Sequence, residues 1–261
     1  MNKKIWQAAA ILFIISCSFC SRVYMWDGGV PAAASAGNTN RPVIVIDPGH
    51  GGMDGGAVSA GGAVEKDLNL AVALALAEEA RAYPVDIVLT RSSDTGLYTD
   101  DDRPVRTKKR EDLIRRREMI EEVRPVVAVS IHMNSFPQDA SVYGAQVFYP
   151  KAHEGRTDVR TEGADSRSFA QSVRKSLETN ISDGREREVM TKDDILLFEN
   201  IDTPVILVEC GFLSNQEEAE RLQTAEYQRL LAQSIWLGIN EILCLEKKQE
   251  LAIIDSANIA A

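Results

Sequence analysis

Four apolar runs decide what this chain can fold into. VIVI opens VIVIDPGHGGMDGGA at residues 43–57, VDIVLT occupies 85–90, VVAVSIH 126–132 and TPVILVECGF 203–212. The apolar residues in each run are largely continuous rather than alternating, so each strand has to be covered on both faces, and helices supply such cover in parallel sheets. GAQVFY at 144–149 reads as a further strand and residues 151–162 as a loop. Between the strands lie segments of helical period. EKDLNLAVALALAEEARAY places Leu68, Val72 and Leu76 at i, i+4 and i+8. Phe169, Val173 and Leu177 mark another helix, and Tyr227, Leu231, Ile235, Ile239 and Ile242 stripe the last. The pattern predicts an α/β fold: a single domain with a twisted, mostly parallel sheet flanked by helices.

DDDRPVRTKKREDLIRRREMIEEV is crowded with charge and has sparse apolar contacts through Leu113, Ile120 and Val123. Its pairs Glu111 with Arg115 and Asp112 with Arg116 suit a solvated helix face. Ser214 and Glu217 are spaced as a capping box for a short helix.

At the N-terminus, Lys3 and Lys4 precede IWQAAAILFIISCSFC, an apolar run shorter than the roughly 20 residues that span a bilayer. It reads as an export signal or short anchor, which puts the body of the protein outside the cytoplasmic membrane. IISC at 14–17 has the form of a lipoprotein cleavage box, and PAAASA at 31–36 offers signal-cleavage sites, so cleavage, lipidation and retention all stay open. The expected division is 1–36 export segment with spacer, 37–42 linker, 43–245 main domain and 246–261 tail. A net charge of −10 argues against a nucleic-acid partner, which calls for a basic face. Cys17 and Cys20 lie in the export segment. Cys210 and Cys244 read as buried thiols, with one bridge as the alternative, and no CxxC pair suggests a sulfur metal site.

In a parallel sheet, residues that follow strands in the same relative place emerge at one edge. His50, His132 and Glu209 do so, and Glu65 opens the helix after a glycine-rich loop able to fold back over that edge. Each has an innocent reading as a surface histidine or a helix-start acid. Glu209 resists it, because a carboxylate between TPVILV and CGF needs a cation, a proton or water. Two histidines and one carboxylate are a ligand set of catalytic zinc, with a fourth position left for water. Such an ion lowers the pKa of water from about 15.7 to about 7, and a second carboxylate beside it can shuttle the proton. His153, in the polar stretch KAHEGRTD, reads as a plain surface histidine. Cys210 reads as core packing, and Asn134 as a turn residue or one that orients a ligand or the substrate.

DPGHGGMDGGAV with EKDLNL, then SIHMNS, then VECGFLSN resemble, in wording and order, the zinc-dependent N-acetylmuramoyl-L-alanine amidases of bacterial cell walls. The resemblance runs from about Val43 to Leu243. It implies a twisted, mostly parallel sheet flanked by helices, one zinc ion held by His50, Glu65 and His132, and Glu209 as catalytic acid/base. The substrate it implies is peptidoglycan, cut between the muramic acid lactyl group and L-alanine. The chain is most similar to the short spore-cortex, germination-associated amidases, which act before a deacetylase makes muramic δ-lactam. GREREVMTKDDILLFEN departs from the N-x-R pattern expected near the substrate cleft. With no wall-binding repeat to localise the chain, an activating lipoprotein or the deacetylase in the spore envelope are the partners to expect. The rivals are a zinc peptidase that cuts the stem peptide and a wall-binding module without turnover.

Overall fold

The computed structural model describes residues 22–25, 41–151, 164–181, 187–192, 194–199 and 201–244. Their elements, in order, are β1 (Arg22–Met25), β2 (Val43–Pro48), α1 (Glu65–Glu79), β3 (Asp86–Leu89), α2 (Val105–Val123), β4 (Val127–Asn134), β5 (Gln146–Pro150), α3 (Ser166–Ile181), β6 (Met190–Lys192), β7 (Val205–Phe212), α4 (Gln216–Leu222) and α5 (Ala225–Leu243). The strands form a seven-stranded sheet in the order β1-β3-β2-β4-β7-β5-β6. β1, β3, β2, β4 and β7 are mutually parallel. β5 runs antiparallel to β7 and carries β6 parallel to itself, so the sheet is mixed at that margin.

Side-chain alternation explains the continuous apolar runs. Ile44, Ile46, Ile87, Val129, Ile131, Ile206 and Val208 face one cluster with α1, α3 and α5, through Leu68, Val72, Phe169, Val173, Leu231 and Ile235. Val45, Val88, Ala128, Val205 and Leu207 face the other, beneath Met119, Ile120 and Val123 of α2 and Leu197 and Phe198. With cover on both sides, each buried leucine, isoleucine or phenylalanine contributes roughly 1.5–3 kcal/mol. The order places β3 on one side of β2 and β4 on the other, so the chain reverses its winding there. Ligand crevices of open α/β sheets form at such a switch point, outside the strands' carboxyl ends.

Three local expectations change. The charged stretch does form α2, but not a uniformly solvated face: Arg116 is 1% exposed, and Lys108 and Asp112 are buried with it. Arg116 falls three, four and seven residues before Met119, Ile120 and Val123, which puts it on the inward stripe. The short helix α4 is capped by Asn215, whose side chain accepts from Glu218 N. Ser214 instead accepts from Phe136 N, so it is not the cap of a box with Glu217. Cys210 is a buried free thiol, but Cys244, in the left-handed C-cap of α5, is exposed.

The expected strand at 144–149 runs Gln146–Pro150, while β1 and β6, too short to show alternation, went unanticipated. The apolar N-terminal run, His153 and the tail from 246 lie outside the described residues. Within those residues, no helix is long and apolar enough to cross a membrane.

Candidate metal centre

β2 ends at Pro48, and Gly49 N continues its pairing by donating to Ile131 O at 2.9 Å. This sets His50 just beyond the level of His132 on β4. A Cβ at position 49 would lie 2.2 Å from the His132 ring, so only glycine lets the two segments approach this closely. His50 has φ 61°, the left-handed region, which costs a non-glycine residue about 1–2 kcal/mol and needs outside support. The loop that follows returns to α1, whose first residue is Glu65.

Glu65 brings the two histidines together. Its Oε1 lies 3.1 Å from His50 Nε2 and 3.0 Å from His132 Nδ1. The rings meet edge to face, with centroids 4.9 Å apart. Met133 N, past the last β2 pairing, donates to the same oxygen at 3.2 Å, and Ala57 N donates to Oε2 at 2.7 Å. One donor atom from each of His50, Glu65 and His132 falls within 4.8 Å of the others, a group able to hold a metal ion. The set suits zinc: two imidazoles and one carboxylate, the carboxylate buried and both rings partly exposed. The outer nitrogen of His50, Nδ1, is 2.9 Å from Asp54 Oδ2, and Lys109 Nζ is 2.6 Å from the other Asp54 oxygen. A carboxylate behind a ligating imidazole fixes its tautomer and raises its basicity.

The electrostatics follow from these contacts. Burial disfavours a charged His50, but the Asp54 and Glu65 carboxylates outweigh it and carry its pKa up to about 9. Burial likewise opposes ionisation of Glu65, yet the two imidazoles hold its carboxyl well below the ordinary range.

Glu209 sits on β7 directly beside His132, its register partner on β4. The alternation of β7 puts its side chain on the α2 side of the sheet, the side that His132 shares. It is 8% exposed, and its Oε2 is buried with no hydrogen-bond partner among the described residues. Burial pushes its pKa up, against the pull of the His132 imidazole. An orphaned carboxylate oxygen at this edge is an acceptor held ready. Cys210 points to the opposite face, where burial pushes its thiol far up and leaves it inert. Asn134 donates to Gln146 Oε1 at 2.8 Å, while its own oxygen accepts from Ser135 N.

Sequence reasoning missed the supports. Arg91, Arg116, Asp47, Asp54 and Asn69 all bear on the turn that carries His50. A signal was present for two of them: Arg91 follows a strand as His50 does, and Arg116 is spaced three, four and seven residues from Met119, Ile120 and Val123.

The fold and the donor set define a class: an α/β protein with a site able to hold a divalent metal at the carboxyl edge of its sheet. Residues 44–241 match the family model for N-acetylmuramoyl-L-alanine amidase, so the chain belongs to that family of hydrolases. It is 34% identical over 197 residues to the germination-specific N-acetylmuramoyl-L-alanine amidase of Bacillus subtilis strain 168, covering 76% of this chain and 78% of that protein. The CwlD amidase of Clostridioides difficile, solved in complex with the GerS lipoprotein, is similar at TM-score 0.71 and 35% identity, over 78% of this chain and 99% of that one. The catalytic domain of CwlV, an N-acetylmuramoyl-L-alanine amidase of Bacillus (Paenibacillus) polymyxa var. colistinus, gives 0.63 at 30% identity, over 78% and 99%.

Proposed function

We propose that this chain is a zinc-dependent N-acetylmuramoyl-L-alanine amidase that hydrolyses the amide between the muramic acid lactyl group and L-alanine, in the spore cortex. The observation that carries this is the convergence of His50, Glu65 and His132 within 4.8 Å, with Glu209, whose Oε2 has no hydrogen-bond partner among the described residues, on the neighbouring strand. When bound, zinc supplies Lewis acidity toward water and the amide carbonyl.

The chain's own residues do the rest. His50, His132 and Glu65 would hold the ion, and Asp54 orients the His50 ring. Glu209 Oε2 accepts a proton from the attacking water and returns it to the departing L-alanine nitrogen, leaving a lactyl carboxylate and a free amine. A carboxyl whose pKa is raised by burial is better matched to both halves of that transfer near neutral pH.

The spore role is supported by similarity to the germination-specific amidase of Bacillus subtilis. Export to the wall or cortex space fits that role, with the N-terminal segment as signal or anchor. The complex of the Clostridioides difficile relative with a lipoprotein motivates the same kind of partner here. Mass spectrometry of cortex peptidoglycan digested by the zinc-loaded protein tests the reaction. Free lactyl groups beside stem peptides with an intact L-alanine terminus are expected. Stem peptides shortened from within would overturn the assignment in favour of a peptidase, and no cleavage would favour a binding module. Glu209→Gln should keep stoichiometric zinc and lose about 10²–10⁴ in kcat, the usual worth of a positioned acid/base.

A further inference from the structure

We propose that Arg91 is a positioning residue that fixes the spacing of His50 and Glu65, and that with Arg116 it clamps the ligand turn in place before any metal arrives. The proposal rests on the reading of His50, Glu65 and His132 as metal ligands.

Arg91 stands just past the end of β3 and is 4% exposed. All the hydrogen bonds described for its guanidinium go to backbone carbonyls. Nε donates to Pro48 O at 2.9 Å, Nη1 to Ser93 O at 3.0 Å, and Nη2 both to Gly49 O at 2.9 Å and to Lys66 O at 2.8 Å. Gly49 precedes His50 and Lys66 follows Glu65, so a single nitrogen ties together the two segments that carry these ligands. Arg116 approaches from α2, donating to Pro48 O at 2.8 Å and His50 O at 2.7 Å while Asp47 and Asp112 balance its charge. Three successive carbonyls, of Pro48, Gly49 and His50, are therefore held by two buried cations. Asn69 Nδ2 adds a second grip on Gly49 O at 3.1 Å.

Closing a turn needs no buried charge, and burying one is costly unless its partners are well placed. A guanidinium engaged only with carbonyls sets geometry rather than neutralising an acid. Its planar fork reaches several carbonyls at once, which the single point donor of lysine does not. His50 at φ 61° is the residue such support would hold, and metal sites loosen when their supporting groups are left slack.

The test is zinc affinity of the purified full chain, by competition with a chromogenic chelator. Arg91→Lys should weaken zinc binding by about 10–100-fold, as loss of outer-shell support does. Asn69→Ala should weaken it by a smaller, several-fold factor. Leu177→Ala, a core truncation on α3, serves as the control for general loosening: it should lower the melting temperature of the metal-free protein at least as much as Arg91→Lys, yet keep zinc affinity within about twofold. Wild-type affinity in Arg91→Lys would overturn the clamp. Should that variant not fold, Asn69→Ala decides, and an unchanged affinity there overturns it too. A wild-type chain that takes up no zinc would instead overturn the metal reading, and the clamp with it.

Discussion

At the scale of single residues, the centre is a set of unfavourable placements that hold one another. Asp47 is 1% exposed beneath the ligand turn and survives there because Arg116, Thr90 and Ser130 all bond its carboxylate. Burial alone would raise its pKa; the Arg116 guanidinium and the two hydroxyls win and hold it below its ordinary 3.8. A depressed carboxyl stabilises the fold above its unfolded pKa, and that contribution is lost as pH falls through the folded value. Stability by urea denaturation should therefore lose the Asp47 contribution only below about pH 3.8, the ordinary value of the group. Asp47→Asn should be less stable by about 3–5 kcal/mol at pH 7, because it leaves a buried cation short of its partner, and should show a shallower acid limb. An unchanged acid limb would mean that Asp47 is not the linked group. His50, Glu65, His132 and Glu209 stood out in the sequence because chemistry-bearing residues near the ends of apolar strands are conspicuous, and the structure brings His50, Glu65 and His132 within 4.8 Å of one another. Arg91 and Arg116 could not be assigned their partners, since their bonds reach residues 42, 68 and 66 positions away in the chain.

At the scale of elements, periodicity located what packing later used. α1, α3 and α5 follow their apolar stripes, and the four apolar runs became β2, β3, β4 and β7. What periodicity cannot give is depth. The apolar stripe of α2 is sparse, and its buried charges Lys108, Asp112 and Arg116 look like its many exposed ones until the tertiary fold is present. Close approach of helices is similarly hidden: a Cβ at Gly238 of α5 would lie 2.5 Å from Val173 Cα of α3, and Ser172 Oγ donates to Gly238 O at 2.8 Å. Alanine at 238 would gain about 1 kcal/mol in helix propensity and lose about 1–3 kcal/mol by overpacking against backbone that cannot move aside. Gly238→Ala is expected to be less stable in chemical denaturation, with zinc affinity unaltered. A stabilised variant would show that the two helices have room to part.

At the scale of the whole molecule, the site belongs to no single element. The turn after β2, α1 and β4 each supply one candidate donor and β7 supplies Glu209, so the donors meet only when the sheet is assembled. Zinc should then bind the folded chain and not the unfolded one, and add about 2.7 kcal/mol at a hundredfold excess over Kd. For a chain of this size that is a rise of roughly 5–10 °C in melting temperature. Chelator should reverse the rise, and His132→Ala should not show it; a zinc shift of wild-type size in His132→Ala would place the ion elsewhere. The strand order also accounts for the mixed margin, where β5 turns back along β7 and sets Gln146 opposite Glu209. That turn was not readable in advance, because GAQVFY carries no mark of its direction.

Zinc-edge X-ray absorption of the loaded, active protein tests the central claim most directly. One zinc per chain with two imidazole nitrogens at about 2.0–2.1 Å and carboxylate oxygen at about 2.0–2.2 Å is the predicted result, with His50→Ala losing one imidazole or the ion altogether. A sulfur shell near 2.3 Å, or a spectrum unchanged by His50→Ala, would contradict it.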